Sequence, residues 1–584
     1  MRFRAYILIV LGIFFCQFKG KSQNQEFILS FVFVDNPADI LKSDNNFRGD
    51  SLQLINQINL ILEKLQNEGY LASGIDSVVY SEGNVFAYIY SGKKYSWGKL
   101  DFSNLEKNLL DGIKLKSAFK ENGPVRLTEF SRLNKDIVSY YENSGYPFAS
   151  VKYEPFSIND SVFNATVIVH KGNFYKLDSI VLKGDAKISA NYIKKSLAIK
   201  EDMPFNQKKW DNLDREIQNI SFITLQKPSE IEFRENGVDL YLYLNQRKSS
   251  TFNGIIGFLP EDENTGKLTI TGELNLNLKN ELGRGEEILL NWEKLESSSQ
   301  KLNVGLMYPY IFKSNFGFDF SFELFKKDTL YLILNTDIGL RWFITNRNYF
   351  RAYYRYKSSS GIGESKTNTL NTFADAVSNK IGAGYVLNKL DYDVNPSRGF
   401  YLNTFAGTGF KKLKNAGTIR DSLNIKADSQ TTDIEAGVDF DLYLPVYNRF
   451  VFHFGNITRY MDQFADNGLE ALYFENDLYR FGGAKSLRGF DESAFYASIY
   501  SLQNIEIRYL FEQNSAFYVF WNGAYYYKNI SRQVTEDFPW GFGIGLNFDT
   551  RAGVFSLSYA LGKQFDNPIE IRTAKIHFGY INRF

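Results

Sequence analysis

Apolar residues recur at helical spacing three times in the first part of the chain, then at a strict two-residue period to its end. The helical sets are Leu54, Ile58, Ile61 and Leu65; Phe130, Leu133, Ile137 and Tyr141; and Trp210, Leu213 and Ile217. Each predicts one buried face of an amphipathic helix. Offsetting the sequence on itself by 76 positions superposes "LILEKLQNEGY" (60–70), "DIVSYYENSGY" (136–146) and "NLDREIQNISF" (212–222), with Asn67, Asn143 and Asn219 in register. Three copies of one unit follow from this. Gly69 and Gly145 stand where a left-handed residue ends a helix and the next side chain, Tyr70 or Tyr146, folds back on it. Ser221 takes that place in the third copy and predicts a weaker cap. Two strand-like runs follow each helix, so each unit reads as a small α+β module with helices on one sheet face.

From about residue 250 the helical period is gone. Leu268, Ile270, Leu274, Leu276 and Leu278 alternate with Thr269, Thr271, Glu273, Asn275 and Asn277, and Phe316, Phe318, Phe320, Phe322 and Leu324 alternate with Gly317, Asp319, Ser321 and Glu323. The same dyads return in Phe542, Ile544, Leu546, Phe548, then Phe555, Leu557, Tyr559, Leu561, and finally Ile576, Phe578, Tyr580. A strand of about 10 residues tilted near 40° rises about 25 Å, the height of the lipid-facing band of a membrane barrel. The strands of a soluble sandwich run about 5–6 residues, shorter than these. Sixteen such runs are expected between 250 and 584, an even number that lets both barrel ends meet on one side of the membrane. The longest gap between them, 461–498, follows the eleventh.

The amino terminus sets the compartment. Arg2 and Arg4 precede the apolar run Tyr6–Cys16, and Gly20-Lys21-Ser22 supplies small residues at a cleavage site, so residues 1–22 read as a secretory signal peptide. Its removal takes Cys16, the only cysteine, and with it any disulfide, thiol nucleophile or cysteine metal site. Lys+Arg 67 against Asp+Glu 66 gives +1, and the loss of Arg2, Arg4, Lys19 and Lys21 makes the mature chain −3. A strongly basic nucleic-acid binder is excluded. No later stretch approaches about 18 consecutive apolar residues, so a spanning helix is excluded too, and alternating strands remain the way to cross a bilayer.

The units ending in "NSGYPFASV" and joined by "KGNFYKLDSIVLKGD" resemble POTRA domains, the periplasmic modules of the BamA/TamA-type outer-membrane assembly superfamily. Three modules are read at 24–94, 95–173 and 174–248, the first the most divergent, and the barrel at 250–584. The gap contains "YRFGGAKSLRGFDE", in which Arg488-Gly489-Phe490 matches the signature of that superfamily's inward-folded loop. "LDYDVNPSRGFYL" (390–402) and "GFGIGLNFDTRAGVFSLSYALG" resemble two further family segments, and Phe584, with Phe578 and Tyr580, fits the terminal aromatic signal of outer-membrane barrels. The resemblance implies an α+β POTRA string followed by an all-β transmembrane barrel. It also implies an outer-membrane insertase or translocase for unfolded outer-membrane or secreted clients, its modules in the periplasm meeting clients or a periplasmic or inner-membrane partner. Three modules lean toward the TamA-like branch; a two-partner-type secretion translocator typically carries two, and a passive pore needs neither modules nor a lumen-filling loop.

A desolvated arginine on such a loop needs a carboxylate. In "NIEIRY" the apolar Ile505, Ile507 and Tyr509 are expected to face lipid, which turns Glu506 and Arg508 to the lumen and makes Glu506 the expected partner of Arg488. In the resembled family an acidic residue of the thirteenth strand also serves the loop, whereas this chain offers Trp521 or Asn522, with Asn547 of the fourteenth strand as a further candidate. Closure requires the first and last strands to pair, and Gly254, Gly257, Gly579 and Asn582 at that seam are expected to weaken the pairing. Carboxylate pairs such as Asp262/Glu263 and Glu286/Glu287 are expected to be solvated. The three histidines, His170, His453 and His577, lack ligand spacing, and no HExxH or GxSxG occurs. No catalysis, cofactor or metal is expected.

Overall fold

In the computed structural model each repeat helix buries the face that its apolar spacing predicts. Residues 27–583 are described except 36–45, 113–121, 155–156, 236, 261–267, 295–298, 363–372, 393–394, 415–428, 466–470, 485, 531–532 and 551–552. The expected signal peptide with Cys16, the pair Asp262/Glu263 and Phe584 lie outside the described residues. The chain divides into two compact units parted at Lys176/Leu177, except that Pro204–Lys209 belongs with the first.

In the first unit, Asp50 caps the helix Ser51–Asn67 through a reciprocal pair with Gln53, and Leu54, Ile58, Ile61 and Leu65 are buried. Gly69 and Gly145 both take φ +99°, and the Tyr70 and Tyr146 amides donate to Leu65 and Tyr141 carbonyls at 2.9 and 3.0 Å. These five-residue reach-backs are the helix stops that the glycine positions predict. In the first module the strand Phe27–Phe33 lies parallel to Asn84–Tyr90 and antiparallel to Asn46–Gly49, an extra edge strand that pairs because it runs extended into the Asp50 cap. The second module repeats the parallel pairing between Ser96–Asp101 and Val162–His170 over a core of Leu105, Leu109, Leu133, Ile137, Tyr141 and Val167.

The second unit starts with a third such sheet, in which Leu177–Lys183 lies parallel to Gly237–Gln246 and Trp210, Leu213 and Ile217 of the helix Gln207–Gln218 are buried. Thr251 then opens a closed antiparallel barrel of sixteen staves. The fourteenth is split into Gln533–Asp537 and Trp540–Asp549, both paired to the thirteenth, Ser515–Ile530. The break falls at Pro539, which has no N–H to give the ladder.

Alternation along each stave divides apolar from charged. On the sixth, Tyr331–Thr345, the side chains of Ile338, Leu340, Trp342 and Ile344 are exposed while Asp337 is buried. Trp342, Phe350 and Tyr385 form an outward aromatic row, with ring centroids 5.9 and 4.6 Å apart. Inside, Asp319 binds Arg341 and Arg351 at 2.6 Å each, and Glu435 binds Arg355 at 2.6 Å and Lys380 at 3.2 Å. Charge inside and hydrocarbon outside invert the order of a soluble protein, as a bilayer solvent requires.

Two expectations need correction. The eleventh stave runs Phe450–Ala465, because Met461 and Gln463 keep the inward alternation and pair with the tenth, so residues 461–465 belong to the stave and not to the gap that follows it. Glu286 is not solvated. It is 1% exposed and accepts amides of Leu282 at 2.5 Å and Arg284 at 3.1 Å, organising the turn between the second and third staves.

Candidate functional site: the inward loop and the seam

The loop between the eleventh stave and the twelfth, Ile499–Glu512, carries a small hairpin of Tyr479–Phe481 against Phe495–Ala497. Gly482 and Gly483, at φ +119° and +98°, lie at its turn. Phe481, Leu487, Phe495 and Ala497 form one apolar cluster with Tyr500, Leu502, Ala524 and Tyr526 of the twelfth and thirteenth staves, and Phe490 packs against it. This cluster packs the loop against the twelfth and thirteenth staves, and polar contacts join it there.

Arg488 is 7% exposed. Its Nη2 donates to Glu506 Oε1 at 2.7 Å and to Asn504 Oδ1 at 2.6 Å, and its Nε donates to Asn522 Oδ1 at 2.8 Å. The guanidinium lies 3.6 Å from the Phe520 ring centroid. Ile507 and Tyr509 are exposed outward while Glu506 and Arg508 are buried, as the dyad predicts. Asn522 rather than Trp521 occupies the thirteenth-stave position facing Arg488. Asn547 is not brought to it; it accepts from Ser556 at 2.9 Å.

Five further contributors are not singled out in the linear reading. Asn504 ties the cluster together, accepting from Asn522 at 2.8 Å and donating to Glu506 at 3.1 Å. His453 of the eleventh stave places Nδ1 at 3.4 Å from Glu506 and Nε2 at 2.8 Å from Asp441. Asn395, within 390–402, accepts from Arg508 at 2.5 Å and donates to the Gln513 carbonyl at 3.0 Å. Gly541 and Gly562 make room for the loop: a Cβ on Gly541 would meet the Arg488 carbonyl, and one on Gly562 would stand 2.7 Å from the Gly489 carbonyl oxygen. Gly489 itself, at φ +96°, would put a Cβ 2.8 Å from the Gly562 nitrogen. Glycines directly opposite each other on the two staves of a hairpin, Gly541 and Gly562, are the signal that finds this groove.

Among the described residues, the seam joins the first stave, Thr251–Pro260, to the last, Lys575–Arg583, through two residue pairs, Thr251 with Arg583 and Phe252 with Asn582. The first and second staves make ten, and the fifteenth and sixteenth make seven. Of the seam residues read from sequence, only Asn582 takes part in the cross-seam ladder. Gly254 and Gly257 pair with Leu274 and Thr271 of the second stave, and Gly579 with Ser556 of the fifteenth. Phe578 is exposed outward, and Tyr580 packs on Phe555 at 4.6 Å.

Small α/β modules before a sixteen-stave barrel with an apolar exterior, a charged lumen and an inward loop define a membrane-spanning β-barrel protein with POTRA-like modules. Residues 280–584, more than half of the chain, match the Omp85 superfamily domain, and the chain belongs to that superfamily. An outer membrane protein assembly factor BamA from Neorickettsia risticii (strain Illinois) is 21% identical over 499 residues, covering 84% of this chain and 59% of that protein. Another BamA, from Nitratidesulfovibrio vulgaris (strain Hildenborough), is 21% identical over 203 residues, 33% of this chain and 26% of the relative. The chain thus spans less than two thirds of the length of either relative. Among solved structures, CdiB from Escherichia coli is similar in fold, with a TM-score of 0.51, 13% identity and coverage of 91% of this chain and 98% of that one.

Proposed function

We propose that the protein is an outer-membrane insertase or translocase that admits client strands at the seam between its first and last staves. The observation that carries this reading is the two-pair seam beside ladders of ten and seven pairs. A stave edge left without its ladder offers N–H and C=O groups to an incoming strand, the chemistry of β-augmentation. The modules stand in the periplasm on this reading, where their edge strands capture unfolded outer-membrane or secreted clients, or a periplasmic or inner-membrane partner. Arg488, Gly489, Phe490 and Glu506 act as the lock that fixes the inward loop, and the terminal aromatics, Phe578, Tyr580 and Phe584, mark the chain for the outer membrane.

Continuing the observed register sets Gly254 opposite Tyr580. In a chain with Cys16→Ser, a disulfide between Gly254→Cys and Tyr580→Cys is expected to stop client assembly while the barrel keeps its heat-modifiable migration, and reduction restores assembly. Full assembly by completely cross-linked protein would rule the seam out. Where the reduced protein is depleted from cells, loss of many outer-membrane proteins marks an insertase, and loss of one secreted protein marks the secretion translocator.

A further inference from the structure

The inward loop touches a second wall of the lumen, far in sequence from the staves that hold Arg488. Segment Leu472–Arg480 precedes the hairpin and lies on the fifth to ninth staves. Glu475 Oε1 accepts from Lys327 at 2.6 Å and from the Tyr331 hydroxyl at 2.9 Å. Asn476 is 2% exposed, and its amide is fully used: Nδ2 donates to Ser359 Oγ at 2.7 Å and to the Ala374 carbonyl at 2.8 Å, while Oδ1 accepts the Ala374 amide at 3.2 Å. Asp477 Oδ2 pairs with the buried Lys411 of the ninth stave and accepts the Phe474 amide at 3.0 Å. The Asp477 carbonyl accepts from Lys357 at 3.3 Å. Phe474 is fully buried, with the Lys411 ammonium 5.5 Å from its ring centroid.

We propose that Phe474–Asp477 is a second anchoring site of the inward loop, so that the loop is tethered to two walls of the lumen and stays seated when Arg488 alone is released. The two sites share no residue. Asn476 reads the backbone of Ala374 by both its N–H and its C=O, which gives the site register as well as affinity, and the Asp477–Lys411 pair is buried enough that separating it strands a charge. While either site holds, the short intervening segment keeps the other near its receptor at high effective concentration, so rebinding outruns escape. The inference rests on Arg488 being the first anchor and on nothing about clients.

The test uses full-length protein carrying Cys16→Ser and Leu487→Cys, a loop position with no solvent exposure, and measures the alkylation rate by a membrane-impermeant maleimide. Arg488→Ala, and separately Asn476→Ala with Asp477→Ala, are each expected to leave the rate within a few-fold. All three changes together are expected to raise it by more than about tenfold, a non-additive response. Asp477→Glu in place of Asp477→Ala, with Asn476 intact, is expected to keep the Arg488→Ala protein slow. Heat-modifiable migration checks that each barrel is folded, and Lys411→Gln cuts the second site from the wall side should the loop variants not fold. If Arg488→Ala alone gives the full acceleration, the second anchor is overturned and the first stands. If the Phe474–Asp477 changes alone give it, the two-site arrangement and the Arg488 lock both fall. If the combination stays slow, neither site holds the loop.

Discussion

At the scale of single residues, the Arg488 cluster separates what charge does from what shape does. Truncating one member of a buried ion pair strands the other and costs about 3–5 kcal/mol, against about 1 or less for an exposed pair. Arg488→Ala and Glu506→Ala are therefore each expected to lower barrel stability in denaturant titration by amounts in the larger range. Arg488 keeps Asn522, Asn504 and the Phe520 ring when Glu506 is gone, so the double variant should show an interaction energy of about 1–3 kcal/mol. Strictly additive losses would mean that the amides, not the carboxylate, are the partner that matters. Arg488→Lys is expected to rescue poorly, because one ammonium cannot reach three acceptors and lie over a ring. Arg488 is legible through the Arg488-Gly489-Phe490 motif of the resembled loop, and Glu506 because a charge on a dyad's inward face needs a partner of opposite sign. Asn504 and His453 are not, since an inward amide or imidazole reads the same whether it meets a loop or water. The meeting itself is made by staves eleven, twelve and thirteen curling around one point.

Elements were legible where a local period or a backbone restriction spoke. The three helix faces and the left-handed glycines at 69 and 145 follow from spacing and from the freedom of a residue without Cβ. Gly69→Ala should cost about 1–2 kcal/mol, because φ is +99° and the new Cβ would stand 2.7 Å from the Tyr95 carbonyl. Ser221 takes no positive φ, so Ser221→Gly is expected to gain nothing and to lose a few tenths of a kcal/mol through unfolded-state freedom. Thermal melts of the two variants check the contrast, and equal effects would mean that the third helix ends as the others do. The extension of stave eleven to Ala465 and the burial of Glu286 were not legible. Stave eleven continues through Met461–Ala465 by pairing with the tenth stave, and Glu286 is enclosed by its own turn, whose amides it accepts only once the turn has formed.

For the whole molecule, the dyads carried the architecture because the solvent outside the barrel is the one that apolar residues seek. That inversion fixes which face meets lipid. With the outer membrane sealed, protease added to cells is expected to spare residues 24–248, and permeabilisation to expose them; ready digestion in sealed cells would overturn the periplasmic placement of the modules. The seam bears on what the sealed wall does to its surroundings. Its two pairs sit at Thr251 and Phe252, the end of the first stave next to the third module, and Asn253–Pro260 have no partner on the last stave among the described residues. At about 3.4 Å per residue and a tilt near 40°, those residues rise about 21 Å, which leaves most of the lipid-facing band without a ladder on one side. Any parting of the two staves therefore pivots about the pinned end, and the gap is a wedge with its point toward the module. On the proposed function, a guest strand seated in such a wedge would meet least resistance at the far leaflet, so its last backbone bonds would form next to the hinge, where the barrel's own pairing already sets the register.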